Sequence, residues 1–207
     1  MKAGVITAVV VVALAAAGPA LADLSIFGPT GLLRVPTVDT IDAGGMEFGA
    51  HLVTDEVFTA NMAVGVIDRL ELSAGYVNPD NGPSDAIISG KWRVFGEFEG
   101  EQDFGLCVGV FDLTDEFNRT VFFSAEKHFE VGETKVRGVA GWGESNSLVD
   151  GLYAGAEIFL GRNYSALVEY DGEDVNAALR WPFGERMKLN VGSVSDELYV
   201  GAQYVLR

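Results

Sequence analysis

The nine residues Leu198-Tyr199-Val200-Gly201-Ala202-Gln203-Tyr204-Val205-Leu206 decide the fold class of this chain. Apolar side chains occupy every second position of the run, starting at Leu198, and the positions between them include the polar Gln203. Because successive side chains of a β-strand point to opposite sides, the two sets face different surroundings. A strand of a bilayer-spanning barrel needs an apolar outward side along its length, whereas its inward side is free to be polar. The run therefore predicts a strand of a transmembrane β-barrel.

The same alternation recurs in twelve segments between Met46 and Leu206. Their predicted spans are 46–54, 57–66, 69–77, 86–95, 103–111, 119–129, 135–144, 152–160, 164–170, 175–181, 187–193 and 198–206. Mostly short polar connections join them, so consecutive strands are expected to pair antiparallel. We predict an all-β fold, a transmembrane antiparallel up-and-down β-barrel of about 12 strands, within a range of roughly 10 to 14.

The face opposite the apolar sets carries many polar and charged side chains. Six of them are candidates for an inward polar network: Lys91, Arg93, Glu157, Glu169, Asn176 and Arg180. Charges on one consistent face would be costly in a dry core, because each would need a partner and full hydrogen bonding. A wet or mutually paired lumen accommodates them, so the network either lines a solute path or holds a small barrel shut. In such a lumen, arginine at inward Gln203 should cost much less stability than arginine at outward Ala166 or Leu189.

A soluble β-barrel or sandwich exported to the periplasm is the alternative fold, because it alternates in the same way. Its apolar sets would face inward and its charges would face water. Two features favour the membrane barrel. Glycines concentrate on the polar face, as at Gly155 and Gly201, and aromatic residues stand near the ends of the apolar sets, as at Trp142 and Tyr204. Small inward residues suit a crowded lumen, and aromatic ends suit the girdle at a membrane interface.

The first 22 residues are typical of a secretory signal peptide. Lys2 supplies the positive start, residues 5–17 form an unbroken apolar run, and Ala20-Leu21-Ala22 is a small-x-small cleavage site. Export and the strand pattern together predict a location in the outer membrane of a Gram-negative-type envelope. Cys107 is the only cysteine, so no internal disulfide is expected.

Charge narrows the expected partners. Without residues 1–22 the chain holds 13 basic and 30 acidic residues, a formal charge of −17, which makes nucleic acid a poor partner. Acid clusters fall in the connections after the odd-numbered strands, such as Asp55-Glu56 and Asp171 with Glu173 and Asp174. An even-stranded barrel with both ends in the periplasm places these clusters outside the cell. There they either bind divalent cations that bridge to lipopolysaccharide phosphates or form an ordinary solvated rim.

Three stretches resemble a known family, the shortest being Ser89-Gly90-Lys91-Trp92-Arg93, which is similar to one of its strands. Residues 28–40 contain Gly31-Leu32-Leu33-Arg34-Val35-Pro36-Thr37, and residues 169–181 begin Glu169-Tyr170-Asp171-Gly172-Glu173-Asp174-Val175-Asn176. The first is similar to the segment that opens YjbH-like outer-membrane proteins, with Gly31, Pro36 and Thr37 at its motif positions, and the second is similar to a later segment of that family. The resemblance implies an outer-membrane barrel associated with making or exporting extracellular polysaccharide, with polysaccharide and export-system proteins as partners. Typical members are longer and often carry a lipoprotein cysteine, which this chain lacks.

Residues 23–43 precede the predicted barrel, which spans 44–207, and they show no strand alternation. Pro29 and Pro36 disfavour regular structure there. Three placements fit these residues: a plug inside the lumen, a contact with a partner, or an ordered strap against the barrel wall.

Candidate catalytic and metal-binding residues are few. His51 and His128 fall on the polar face, where they fit either a catalytic base or plain lumen packing, and neither has a serine nucleophile motif beside it. Cys107 and two distant histidines make a poor metal site. The run Asp171-Gly172-Glu173-Asp174 lacks the ligand spacing of a calcium-binding hand and suits a hairpin turn.

These patterns predict a non-enzymatic protein with no catalytic residue, cofactor or metal. The leading hypothesis is an outer-membrane barrel that serves extracellular polysaccharide export or surface organisation. A general small-solute channel of the porin type is the alternative within membranes, and an outer-membrane hydrolase is the alternative from a different class.

Overall fold

A computed structural model describes residues 23–96, 104–117, 119–144, 149–160 and 164–206. The predicted signal peptide, residues 1–22, lies outside the described residues. Twelve strands follow one another along the chain: β1 (Met46–Val53), β2 (Val57–Ile67), β3 (Leu70–Pro79), β4 (Asp85–Phe95), β5 (Phe104–Phe111), β6 (Thr120–Val131), β7 (Thr134–Glu144), β8 (Gly151–Phe159), β9 (Ser165–Tyr170), β10 (Val175–Phe183), β11 (Met187–Val194) and β12 (Glu197–Leu206). Each strand lies within a few residues of its predicted span.

The twelve strands form one closed antiparallel sheet in which each strand pairs with its neighbours in sequence. The seam is the pairing of β1 with β12, which runs without interruption from Met46 opposite Leu206 to Val53 opposite Tyr199. Closure removes the unpaired strand edges that an open sheet would leave, as a barrel inside a bilayer requires. The predicted all-β antiparallel barrel of 12 strands is therefore confirmed.

Side-chain exposure follows the predicted alternation. On β12, Leu198 and Val200 are 54% and 43% exposed, whereas Tyr199 and Gln203 between and beyond them are 1% and 3% exposed. The same outward exposure of large apolar side chains recurs around the barrel, for example at Leu72, Phe123 and Leu179. Met187, which falls on the outward set by its position in β11, is buried and departs from this pattern. No helix in the described part of the chain is long and apolar enough to cross a membrane.

Residues 23–43, called the plug from here on, lie inside the barrel. Their contacts decide this placement, because plug atoms bond to inward side chains on strands from β2 through β12: Asn61, Glu71, Lys91, Cys107, Ser124, Arg137, Glu169, Arg180, Lys188 and Gln203. A segment that reaches strands all around a closed sheet must occupy its lumen. On β8, a Cβ at Gly155 would collide with Leu32, so glycine leaves the room that this plug residue fills.

The plug folds on itself instead of forming a long strand. Short antiparallel bridges join Leu24 to Thr30 and Gly31 to Pro36, and the Ile26 N–H donates to the Leu33 carbonyl over 2.7 Å. Its apolar side chains form a fully buried core together with inward aromatic side chains of the wall. The members of that core from the plug are Ile26, Phe27, Leu32, Leu33, Val35 and Val38. The lumen is thus filled and internally paired.

Candidate functional site

A single glutamate on β9 binds three consecutive backbone N–H groups of the plug. The Glu169 carboxylate accepts hydrogen bonds from Leu33 over 3.0 Å, Arg34 over 2.8 Å and Val35 over 3.2 Å. Consecutive N–H groups that converge on one point form a small anion-binding concavity. Each of these buried N–H groups needs an acceptor, and one carboxyl group supplies it to all three, so this contact fixes the tip of the plug.

Two further wall glutamates accept hydrogen bonds from other backbone N–H groups of the plug. Glu71 on β3 accepts the N–H groups of Thr30 over 2.7 Å and Ile41 over 3.1 Å. Glu126 on β6 accepts the N–H group of Val38 over 2.8 Å. Some plug N–H groups, such as those of Ile26 and Leu32, bond to plug carbonyls, and these carboxylates satisfy others that burial would leave unpaired.

Donors from the wall bind the plug's backbone carbonyls. Lys91 on β4 donates to the carbonyls of Thr30 over 2.7 Å and Thr37 over 3.0 Å, and Arg180 on β10 donates to that of Leu32 over 2.9 Å. Four other wall side chains donate in the same way: Ser124 to Pro36, Asn61 to Ser25 and Ile26, Thr59 to Ile26, and Gln203 to Leu24. The wall therefore recognises the path of the plug backbone at both its donors and its acceptors.

The first residue of the plug, Asp23, forms ion pairs with side chains of the wall. Asp23 lies 2.8 Å from an Arg180 guanidinium nitrogen and 3.8 Å from one of Arg137, and it also pairs with Lys188. Burial by itself would raise the pKa of the Asp23 carboxyl, but the positive charges of Arg180, Lys188 and Arg137 lower it well below its usual value. Arg137 also binds Glu157 on β8. Alternating signs of charge thus compensate one another within the buried cluster.

Arg34, at the tip of the plug bound by Glu169, reaches the acidic turns of the barrel. It pairs with Glu56 in the turn between β1 and β2 and lies 3.3 Å from Asp171 in the turn between β9 and β10. Its guanidinium carbon also lies 6.0 Å from the centre of the Phe27 ring. The turn that begins at Asp171 is the predicted hairpin, with Gly172 at a positive φ of 113°. We call this end of the barrel, where the connections after odd-numbered strands meet, the acidic rim.

The structure brings five of the six predicted network residues together. Lys91, Glu157, Glu169, Asn176 and Arg180 are all buried in the lumen, and they bond to the plug or to residues that do. Arg93 is half-buried near an irregularity in the β4–β5 pairing and lies apart from this group. Sequence reasoning did not select Glu71, Ser124, Glu126 and Arg137, although their inward parity was visible. The sequence did not indicate which plug residues these four side chains would bind.

The family-motif positions are turning points of the plug. Gly31 lies so close to the Val35 carbonyl that a Cβ there would meet the carbonyl oxygen at 2.6 Å. Pro36 supplies the carbonyl that Ser124 binds. Thr37 supplies the carbonyl that Lys91 binds, and the Cys107 sulfur lies 3.5 Å from the same oxygen.

The two histidines occupy different surroundings. His51 is fully buried, and its Nδ1 lies 2.8 Å from the Tyr199 hydroxyl, so it pairs with a phenol of the wall. His128 is partly exposed, and its Nε2 lies 2.8 Å from Glu126 Oε1. Ligand atoms of His128, Glu126 and the plug residue Asp39 all lie within 4.8 Å of one another. As metal ligands, the histidines were considered only together with Cys107, so this cluster was not predicted.

Comparison with known proteins places the fold among outer-membrane porins. The chain matches no protein-family model and no curated protein. Among solved structures it is similar to a KdgM porin, at 12% identity and a TM-score of 0.54, with 79% of this chain and 99% of that chain covered. A KdgM porin in complex with disordered oligogalacturonate gives 13% identity, a TM-score of 0.54 and the same coverage of 79% and 99%. The chain therefore has the barrel fold of these porins.

Proposed function

We propose that this protein is an outer-membrane channel for small solutes whose lumen is closed by its own plug. The closed barrel with its apolar outer face fits a bilayer, and its fold is that of porins. The signal predicted in residues 1–22 supplies the export route, and lipopolysaccharide is the expected neighbour of the acidic rim. The proposed role is passive transport, with no catalytic step.

The observation that carries the proposal is the polar character of the grip on the plug. Glu71, Lys91, Glu126, Glu169 and Arg180 bind the plug through side-chain charges at backbone atoms. If the plug moved out, water would replace the plug as the partner of these groups, and a water-filled channel would leave none of them unsatisfied. The plug also packs apolar side chains against the wall, and a segment held by such packing alone would lack this alternative.

The plug is also tethered to the wall at its C-terminal end. The Gly44 N–H donates to the Gly65 carbonyl on β2 over 2.8 Å, and the Gly65 N–H donates to the Gly45 carbonyl over 3.1 Å. These contacts hold the start of β1 independently of the charged contacts deeper in the lumen. We propose that residues 23–42 move about this attachment, where Ala43 is bridged to Gly65 of the wall.

Charge at the acidic rim indicates which solutes would pass. The KdgM porin of the second comparison holds oligogalacturonate, a polyanion. The rim of this chain carries carboxylates such as Glu56, Asp115, Asp171 and Glu173, and the whole chain has a formal charge of −16. A mouth of one sign raises the local concentration of oppositely charged solutes and repels like-charged ones. We therefore propose neutral or cationic solutes and do not carry the acidic sugar over.

A permanently closed accessory of polysaccharide export is the second candidate. The filled lumen favours it, because a barrel whose core includes the plug has no need to conduct. The resemblance to YjbH-like proteins points the same way and names extracellular polysaccharide and export-system proteins as partners. A hydrolase is less well supported, since His51 is fully buried and its Nδ1 is taken by Tyr199.

Planar-bilayer conductance of a Thr37→Cys variant separates the two candidates. The Cys107 sulfur lies 3.5 Å from the Thr37 carbonyl oxygen, so we expect a thiol at position 37 to lie within reach of a short bifunctional reagent. The hydrogen bonds of Thr37 to Lys91 and Thr30 use its backbone, so the substitution keeps them. Oxidation during refolding, or a short bifunctional thiol reagent, would join plug to wall. We expect openings from the reduced protein that become rare when the bond forms and return with reductant. The Thr37→Ser variant, treated identically, is the matched control.

Two results would contradict the channel. Absence of openings in the reduced variant and in the native chain would favour the closed accessory. A steady open pore that ignores the cross-link would mean that the plug does not close the lumen.

A further inference from the structure

We infer that Asp39, Glu126 and His128 form a binding site for a divalent transition-metal ion of the zinc type, which joins the plug to the barrel wall. The three side chains come from two separate elements: Asp39 from the plug, and Glu126 and His128 from β6. Their ligand atoms lie within 4.8 Å of one another. Among the described residues this is the one place where three side chains able to bind a metal converge in this way.

The strand geometry brings the two wall ligands to the same side. Glu126 and His128 are two positions apart on β6, so both side chains point inward. Their facing atoms, Glu126 Oε1 and His128 Nε2, are 2.8 Å apart. A metal ion between them would take the place of the proton that they now share, as in sites whose ligands bind in deprotonated form.

Both carboxylates are already oriented by neighbouring donors. The Val38 N–H binds Glu126 Oε2 over 2.8 Å, which leaves Oε1 directed at His128. Arg137 donates to Asp39 Oδ2 over 2.7 Å. Donors of this kind fix the direction of metal ligands and are a regular part of functional sites. The positive charge of Arg137 weakens cation binding, but Arg137 is also paired with Glu157, which compensates part of it.

The ligand set selects the class of metal. Calcium and magnesium prefer sites made of oxygen alone, whereas imidazole favours zinc, copper or nickel. One imidazole and two carboxylates supply three of the four ligands of a tetrahedral zinc ion, with water as the fourth.

The site is open to entering ions on one side. The His128 side chain is 30% exposed and that of Asp39 is 21% exposed, while Glu126 is fully buried. His128 lies three residues before the end of β6, at the barrel end opposite the acidic rim. An ion therefore reaches the site from that end without crossing the plug. Once bound, it would join the part of the plug around Asp39 to the wall.

Calorimetric titration of the full refolded barrel tests the site. The protein is prepared in detergent with any affinity tag removed, treated with chelator, and titrated with Zn²⁺, Ca²⁺ or Mg²⁺. We expect one Zn²⁺ per chain and much weaker binding of the other two ions. Asp39→Asn and His128→Gln should each weaken Zn²⁺ binding about tenfold or more. Asp174→Asn, which removes a carboxylate at the acidic rim, should leave Zn²⁺ binding unchanged. Heat-modifiable gel migration reports that each variant has folded.

A spectroscopic readout identifies the ligand independently of affinity. Cu²⁺ bound at the site should show nitrogen coupling in its electron paramagnetic resonance spectrum, and the coupling should disappear in His128→Gln. Zn²⁺ binding that is equal in native, Asp39→Asn and His128→Gln chains would overturn the inference, as would nitrogen coupling that persists without His128. Both measurements report binding, so they do not depend on whether the barrel conducts.

Discussion

On strand β12, Val200 and Gln203 point to opposite sides of the same sheet and meet different kinds of surroundings. Val200 is exposed on the outer face, where any apolar side chain of suitable size would serve. Gln203 is buried and donates to the carbonyl of Leu24 over 2.6 Å, a contact that a single partner atom defines. The outer face is thus specified by class of residue, whereas the lumen is specified by individual pairs. Substitutions on the two faces should differ in the same way.

The largest effect is expected at Glu169 in the lumen. Glu169→Ala leaves the N–H groups of Leu33, Arg34 and Val35 buried without their acceptor. We expect the free energy of unfolding to fall by about 3 to 5 kcal/mol. Urea unfolding in detergent, followed by heat-modifiable migration, measures it. Glu169→Gln keeps one acceptor oxygen and should lose less. Equal losses for the two variants would show that the contact is not made through these amides.

A charge on the outer face comes next. Leu179 lies at the middle of β10 and is exposed, so Leu179→Arg places a cation against lipid chains. The expected cost is about 2 to 4 kcal/mol in a bilayer. The control is Glu173→Arg at the exposed turn between β9 and β10, which should change stability by less than about 0.5 kcal/mol. A harmless Leu179→Arg would mean that this face does not contact lipid.

Asp23 tests the charge pairing of the lumen. Asp23→Asn leaves Lys188 and Arg180 with one negative partner fewer, and we expect a loss of about 1 to 3 kcal/mol at pH 7. Because the pKa of Asp23 is lowered in the folded chain, its contribution is complete above the unfolded pKa of 3.8. The contribution is lost as pH falls from that value toward the lower folded pKa.

The difference in free energy of unfolding between the native chain and Asp23→Asn should therefore stay constant from neutral pH to about pH 5. It should become smaller below about pH 4. Urea midpoints over this range measure it, with the exposed Asp115→Asn as control. A gap that narrows already near neutral pH would exclude the lowered pKa.

The smallest effect is expected where the lumen meets the acidic rim. Glu56 pairs with Arg34, but its side chain is 34% exposed. Exposed pairs contribute little and are screened by salt, so Glu56→Gln should cost under about 1 kcal/mol, and less at high salt. Asp171→Asn, which removes a buried partner of the same arginine, should cost more. A larger loss for Glu56→Gln than for Asp171→Asn would mean that Arg34 is held mainly by its exposed partner.

The outer face was predictable because one rule, period two, acts at every residue of a strand. The twelve spans from β1 to β12 and the turn at Asp171-Gly172 followed from that rule and from turn chemistry. The lumen obeys no such local rule. Glu169 and its partners Leu33 to Val35 are 134 to 136 positions apart in sequence, and nothing near either end indicates the other.

Gln203 illustrates what this difference changes. A wet lumen predicts that arginine is tolerated there, but the structure shows the side chain enclosed between the wall and the plug, with its amide bound to Leu24. An arginine would have to displace the plug to find water. The alternation showed that Gln203 points inward, but only the structure shows that the plug occupies the lumen beside it.

The position of the plug also bears on how the barrel is assembled. Residues 23–43 precede every strand in the sequence and lie innermost in the structure, and the seam that encloses them pairs the first strand with the last. Contacts between such distant parts of a chain form slowly, because a long loop must be ordered before they contribute. We expect the plug to serve as a template for closure of the sheet, since its backbone donors and acceptors lie opposite inward side chains of strands from β2 through β12.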